Sequence, residues 1–428
     1  MPTHPTDLAS QVPSANSALL DLPGCGPLAS PLGSGRGLRQ QVFERIRAQG
    51  AVARVDVAKD LGVSPASVTT ICADLIEMGL IRELALSRKD GDLGRGRPPV
   101  ALGVNPGARY VAGLKLSDLS HAAVILDFAG DVVGRASVLR PKLNLDAKDV
   151  AEEADCVLGL ALEDAGLDRS ALSAVGVGLP GLIRHDIGTV IWSPIIRERN
   201  VPFAALLSRR LGLVTLIDND ANLLALSELW FGVGRSLSTF VMVTVERGLG
   251  MGFVLDNALW RGSYGVGMEF GHIKVQLDGA LCRCGQRGCL EAYVADYALA
   301  REASTALDWD GGAEGDSQRT LIESLYAEAR AGNEAARSIF QRAGRYLALG
   351  LATITNLLDP PLIILSGDRM RYDQIYPEAA MVEMRGLTLG ADRDTPRVEV
   401  HAWSAWDWAR GAAAEALRET TDALFKVG

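Results

Sequence analysis

The chain has 428 residues, of which 48% are apolar and 22% charged, and it carries a net charge of −9. That balance excludes a protein that coats nucleic acid with its whole surface, and no apolar run reaches the roughly 18 residues of a membrane helix, which excludes a helical membrane protein. At about 150 residues per domain the length predicts two or three domains.

Cys25, Cys72 and Cys156 stand alone, a poor disulfide framework that suits a reducing compartment. No secretory signal pattern is visible, so a cytoplasmic protein is expected.

Residues 1–36 are rich in Pro, Ser, Ala and Gly and read as a disordered arm. Residues 36–105 then hold 11 Lys+Arg against 8 Asp+Glu, a modestly basic segment on an acidic body. Leu38, Val42 and Ile46 recur at helical spacing up to Gly50, and a short helix follows over 55–61. Ser64 is a good N-cap and Pro65 a good first helical residue, so a third helix runs to about residue 78 and stops at Gly79. Val68, Ile71, Cys72 and Leu75 give it an apolar face, with Ser67, Thr69, Thr70 and Ala73 opposite.

Three helices with a glycine turn before the third predict a helix-turn-helix, and strands at 80–86 and 100–104 around a turn at 87–92 predict a wing. Ser64, Ser67, Thr69 and Thr70 are candidate DNA contacts in the major groove. Arg95 and Arg97, in an extended Arg-Gly-Arg-Pro stretch, are candidates for the minor groove. The bland alternatives are a three-helix connector and a basic linker.

From residue 110 the texture becomes α/β. Strands are predicted at 110–116, 122–127 and 132–138, a helix at 149–165, and strands at 174–177 and 214–217. The last two end in Gly178-Leu179-Pro180-Gly181 and Asp218-Asn219-Asp220-Ala221-Asn222. A helix follows to about residue 229. Polar residues at the C-terminal ends of sheet strands are where such sheets bind ligands. A second half opens at 240–245 and continues with a strand to 255, helices at 293–306 and 318–358, strands at 362–365 and 398–402, and a helix from 405 to about 424. Three strands, a helix and polar strand-end loops point to the duplicated core of actin-like sugar kinases.

Between these elements lie His272, Cys282, Cys284 and Cys289, within eighteen residues and punctuated by glycines. Three cysteines and a histidine make a standard tetrahedral zinc set. The bland reading is a knot of reduced cysteines packed as small hydrophobes. Glu269 and Glu291 bracket the four.

With the Gly-Leu-Pro-Gly loop, the Asp218–Asn222 run, Glu269-Phe270-Gly271-His272 and Cys282-x-Cys284-Gly285-x-x-Gly288-Cys289-Leu290-Glu291, the chain resembles the ROK family of repressors and sugar kinases. The winged helix places it with the repressor branch. The resemblance implies a winged helix-turn-helix followed by a duplicated actin-like, ribonuclease H-like sugar-kinase fold. It implies sugar contacts by Asn219, Asp220, Glu269, His272 and Glu291, and zinc on His272, Cys282, Cys284 and Cys289.

Four departures from the family pattern matter. The first phosphate loop is Lys115-Leu116-Ser117-Asp118-Leu119-Ser120, without glycine; the second is Glu246-Arg247-Gly248-Leu249-Gly250, with a carboxylate where phosphates would lie. Met268 stands where the family has glycine, and Thr70 where relatives often carry arginine.

The expected layout is an arm at 1–36, a winged helix at 37–105, a first α/β subdomain at 106–232 with the 405–424 helix packing back on it, and a second at 233–404. The expected function is a repressor whose affinity for a double-stranded DNA operator is set by a sugar or sugar phosphate, without phosphoryl transfer. A homodimer or homotetramer is expected, to meet two half-sites about one helical turn apart. The alternatives are a sugar kinase with an attached DNA module, and a repressor controlled by a protein partner.

Overall fold

A computed structural model describes residues 23–28, 35–85, 100–139, 145–307, 316–367, 377–390 and 394–426. Most of the expected arm, the 87–92 turn, and Arg95 and Arg97 lie outside the described residues. The amino-terminal unit is α1 (Leu38–Gln49), β1 (Val52–Ala53), α2 (Arg54–Leu61), α3 (Pro65–Glu77), β2 (Ile81–Ala85) and β3 (Val100–Val104). Helix α3 starts as its sequence dictates: the Ser64 side chain accepts from the Ser67 N–H, and Pro65 takes the first turn. Val68, Cys72 and Leu75 are fully buried, while Ile71 is half-buried at the edge of that face. The strands pair antiparallel in the order β1-β3-β2.

Two lobes follow. The first comprises β4 (Tyr110–Lys115), β5 (Ser120–Asp127), β6 (Val132–Leu139), α4 (Ala147–Ala165), β7 (Leu172–Leu179), the hairpin β8 (Leu182–Arg184) and β9 (Thr189–Trp192), α5 (Phe203–Leu211), β10 (Val214–Asn219) and α6 (Asp220–Phe231). The second comprises β11 (Phe240–Val245), β12 (Leu249–Leu255), β13 (Ala258–Leu259), α7 (Glu291–Val294), α8 (Asp296–Ala306), α9 (Asp316–Ala331), α10 (Glu334–Leu358), β14 (Leu362–Ser366), α11 (Pro377–Leu387), β15 (Arg397–His401) and α12 (Ala405–Phe425).

The sheets read β6-β5-β4-β7-β10 and β13-β12-β11-β14-β15. In each, the first two pairings are antiparallel and the last two parallel. The duplication expected from sequence is therefore present.

The expected single helix over 318–358 is two helices. Gly332, at φ +103°, ends α9, and the Asn333 side chain caps α10 by accepting from the Ala336 N–H. The sequence also concealed the β8–β9 hairpin, α5 and α11. The hairpin strands are too short to show a period of two, and α5 has nine residues. Among the described residues no helix is long and apolar enough to cross a membrane.

Helix α12 returns from the second lobe and packs on β4, β7 and α6 of the first. Glycines permit the approach: a Cβ on Gly176 would stand 1.9 Å from the Ala412 carbonyl oxygen, and one on Gly411 1.8 Å from that of Leu223. The winged helix joins the same core, with Val42, Phe43 and Ile46 continuous with Phe128, Trp230, Trp408 and Leu417. The Phe43 ring lies 5.1 Å from Phe128 and 5.6 Å from Phe425.

Overpacking at a glycine that faces a buried backbone costs up to about 3 kcal/mol, so Gly176→Ala is expected to lower the urea midpoint by that equivalent. Gly159→Ala is the control. Gly159 lies within α4 with open space around its Cβ direction, and the substitution should raise stability by roughly 0.5–1 kcal/mol.

Candidate functional site

Strand β10 ends at Asn219 and α6 begins at Asp220, so both sit at the carboxyl edge of the first sheet. Asn219 is the N-cap: its Oδ1 accepts from the Ala221 N–H at 2.8 Å, and its Nδ2 donates to the Gly181 carbonyl at 2.9 Å. This ties the Gly-Leu-Pro-Gly loop to the start of the helix. Burial raises the Asp220 carboxyl above its ordinary pKa, opposed by Lys115 and the Ala221 N–H. Across the cleft stand Glu269 and Glu291. Glu269 keeps 42% of its side chain exposed. Burial, then the charges of Glu291 and Asp220, push its pKa up to about 7. Three carboxylates thus face one space, a density suited to the paired hydroxyls of a polyol.

Met268 has φ +67°, a left-handed backbone that a glycine takes freely and a methionine only with strain. Its side chain packs against the core of the second lobe.

His272, Cys282, Cys284 and Cys289 are brought together, with one ligand atom of each within 4.8 Å of all the others. The Cys284 and Cys289 sulfurs are 3.7 Å apart, and the Cys282 sulfur is 3.7 Å from His272 Nδ1. Bonds of about 2.3 Å to sulfur and 2.0–2.1 Å to nitrogen in a tetrahedron give edges near these lengths, so the cluster fits a tetrahedral ion. Nδ1 is the nitrogen that faces the Cys282 sulfur. Nε2 faces Glu269, 4.0 Å from its Oε2. Lys274, which sequence reasoning did not single out, places Nζ 2.9 Å from the Cys289 sulfur and supplies positive charge beside the three thiols. Glu291 is shared: Oε2 accepts from the Leu249 N–H at 3.2 Å, while Oε1 lies 3.5 Å from the Cys282 sulfur.

Both loops at the phosphate end are bonded within themselves. Ser117 Oγ donates to the Ser120 carbonyl at 2.7 Å and closes the first loop on itself, leaving Leu119 exposed. In the second, Glu246 N–H donates to the Gly248 carbonyl at 3.0 Å. Arg247 Nη1 forms an ion pair with Asp118 of the first loop. The two loops are therefore tied to each other across the cleft.

Behind the cleft lies a charged cluster that sequence reasoning missed. Asp218 Oδ1 accepts from the Asn219 N–H (2.7 Å) and Asn222 Nδ2 (2.9 Å), and its Oδ2 accepts from Arg261 Nε (2.6 Å). Arg261 Nη2 also donates to Glu415 on α12 at 3.3 Å. Burial disfavours ionisation of Glu415, yet Arg261, Arg418 and His185 outweigh it and hold the carboxyl at about 2. The one available signal was a glutamate inside the alanine run 412–416.

On α3, Thr69 and Thr70 donate their hydroxyls back to the Pro65 and Ala66 carbonyls, at 2.8 and 3.2 Å. The Ser64 and Ser67 hydroxyls bond each other at 2.8 Å. All four residues are exposed together on one end of the helix. With the threonine hydroxyls turned inward, it offers close approach more than polar base readout.

Fold and site define a two-lobed protein of the sugar-kinase architecture that carries a winged helix. The ROK family model matches residues 152–418, and the chain belongs to the ROK family. It is 26% identical to the xylose repressor of Caldicellulosiruptor bescii over 347 residues, which are 79% of this chain and 84% of that protein. It is 26% identical to the DNA-binding transcriptional dual regulator NagC of Escherichia coli over 78% of this chain and 81% of the relative. A glucokinase of Streptomyces coelicolor is 31% identical over 60% of this chain and 80% of its own length. Among solved structures, a ROK family transcriptional regulator homologous to the Escherichia coli MLC protein aligns with TM-score 0.73 and 24% identity, over 90% of this chain and 97% of its own. The ROK glucokinase of Streptomyces griseus, solved with glucose and AMPPNP, aligns with TM-score 0.62 and 28% identity over 72% and 99%.

The four-ligand cluster predicts one bound metal ion per chain by elemental analysis. Cys284→Ser should release most of it, and chelation should lower the melting temperature because a ligand of the folded state stabilises by mass action.

Proposed function

We propose that the chain is a sugar-responsive, DNA-binding transcriptional regulator, acting as a repressor, that binds its sugar in the kinase cleft without transferring phosphate. The observation that carries this is the conjunction of a winged helix, built into the core of the body, with phosphate loops joined by Asp118 and Arg247. Relatives named as xylose and N-acetylglucosamine repressors support it.

In this reading Asn219, Asp220, Glu269 and Glu291 hold the sugar hydroxyls. Zinc on His272 Nδ1, Cys282, Cys284 and Cys289 would fix the imidazole so that Nε2 meets a further hydroxyl. Ser64, Ser67, Thr69 and Thr70 would approach the major groove of an operator, with Arg95 and Arg97 in the minor groove, and a dimer or tetramer would present paired winged helices.

The route from cleft to DNA module is continuous. Asp218, next to Asn219, bonds Arg261; Arg261 and Arg418 share Glu415; Arg418 Nη1 reaches Asp422 at 3.3 Å; and Gln40 Nε2 on α1 donates to Asp422 at 2.7 Å. Beside it, Arg47 Nη1 donates to Thr421 at 2.8 Å. Contiguity becomes coupling only when cutting a link changes the response.

The competing reading is a sugar kinase, favoured by the retained Asp220 and by glucokinase relatives. In kinases an aspartate here is the general base for the sugar hydroxyl. A coupled ATP-consumption assay with a hexose panel decides it: turnover that disappears in Asp220→Asn would overturn the regulator reading.

Two outcomes are expected. First, one sugar or sugar phosphate of a panel should weaken operator binding about 5- to 150-fold, the usual range of coupling between sites, and Asp220→Asn should abolish that shift while leaving sugar-free operator binding intact. No effect from any sugar would end the proposal. Second, Gln40→Met should keep sugar affinity and sugar-free operator affinity within about threefold but cut the sugar-induced shift at least about threefold. An unchanged shift in Gln40→Met rules out the Gln40–Asp422 link as the carrier.

A further inference from the structure

Where α1, α12 and the β12–β13 turn meet lies a partly open pocket of about 520 Å³ whose lining includes Arg47, Arg261, Arg418, Gln41, Asn257 and Trp230. It lies behind the sugar cleft, from which Asp218 and Arg261 separate it. Of its four lining carboxylates, Glu415 is held by Arg261 and Arg418, Glu44 by Arg36 at 2.9 Å and Asp60 by Arg45 at 4.0 Å, while Asp256 lies on the β12–β13 turn. Arg47 differs. It is 4% exposed, its Nε has no hydrogen-bond partner, and Nη1 meets only the neutral Thr421 hydroxyl. Among the described residues no carboxylate forms an ion pair with it. Its guanidinium instead lies 4.7 Å from the Trp230 ring centroid and 5.3 Å from that of Phe43.

A buried cation without a counter-ion is unfavourable, because aromatic faces return only part of the lost hydration. Burial accordingly lowers the Arg47 pKa. An arginine has five donors, and a phosphate monoester offers three acceptor oxygens and the missing charge.

We infer that this pocket is a second effector site, distinct from the sugar cleft, for a small phosphate ester whose phosphate pairs with Arg47 and Arg418 and whose remaining atoms lie against Trp230, Gln41 and Asn257. A ligand there touches the DNA module through Arg47 and Gln41, and the route from the cleft through Arg261 and Arg418. Its occupancy therefore sets how firmly the winged helix is held on the body. The site would allow the regulator to read a phosphorylated metabolite alongside its sugar.

The test is thermal stabilisation of the full chain by inorganic phosphate and by glycerol 3-phosphate, against chloride at matched ionic strength. A saturable rise in Tm is expected for the wild type and for Asp220→Asn. Its midpoint should move at least about tenfold higher in Arg47→Met and in Arg418→Met, the loss expected for one charge-assisted contact. If either arginine variant loses its near-ultraviolet circular dichroism, Gln41→Leu, which lines the pocket and leaves every ion pair of Glu415 in place, decides by the same rise in midpoint. Absence of a saturable shift with both probes overturns the inference. So does a shift abolished by Asp220→Asn but kept in Arg418→Met, which assigns the anion to the sugar cleft.

Discussion

A glutamate in the middle of an alanine-rich buried helix can stay ionised only if cations surround it. Glu415 is 2% exposed and is met by Arg261, Arg418 and His185. Each partner comes from a different part of the chain: the segment after β13, α12 itself, and the turn between β8 and β9. Removing one would strand a buried charge, which typically costs about 3–5 kcal/mol. The ion cluster therefore fixes the Asp218 loop, the C-terminal helix and the second lobe in one arrangement. Asn219 and Asp220, which follow Asp218 in the chain, inherit their position from it.

The same helix carries the DNA module. Phe43, Phe128 and Phe425 form one aromatic group, and Gln40 and Arg47 bond to the outer turns of α12. A winged helix on a flexible linker would reorient independently of the cleft. One that shares a packed interior moves only if α12 or its ion pairs shift, because close-packed interiors transmit displacement. The glycines at 113, 176 and 411 leave α12 little free space on the side of the first sheet and α6.

What sequence reasoning found was local in the chain. The candidate metal ligands lie between residues 272 and 289, the two wing strands between 81 and 104, and the strand-end loops follow apolar runs. What it missed was nonlocal or conformational. Arg261 and Glu415 are 154 residues apart, Asp118 and Arg247 are 129 apart, and nothing in either neighbourhood announces the other. The break at Gly332 was hidden inside a continuous helical period. Met268 was visible as a departure from family glycine, but its left-handed backbone, which explains the glycine, was not. The threonines of α3 were correctly placed on the exposed face, while the inward turn of their hydroxyls needed coordinates.

The ion pair between Asp118 and Arg247 has a consequence for how the cleft fills. In a two-substrate cleft each ligand completes the other's site, so occupancy depends on two concentrations and on the order of addition. Here the chain itself supplies the bridge across the phosphate end. Under the regulator reading proposed above, the sugar end of the cleft then needs no nucleotide to complete it. A site completed by its own chain is preorganised for the one ligand left to enter it, so less of the binding energy is lost in ordering the cleft.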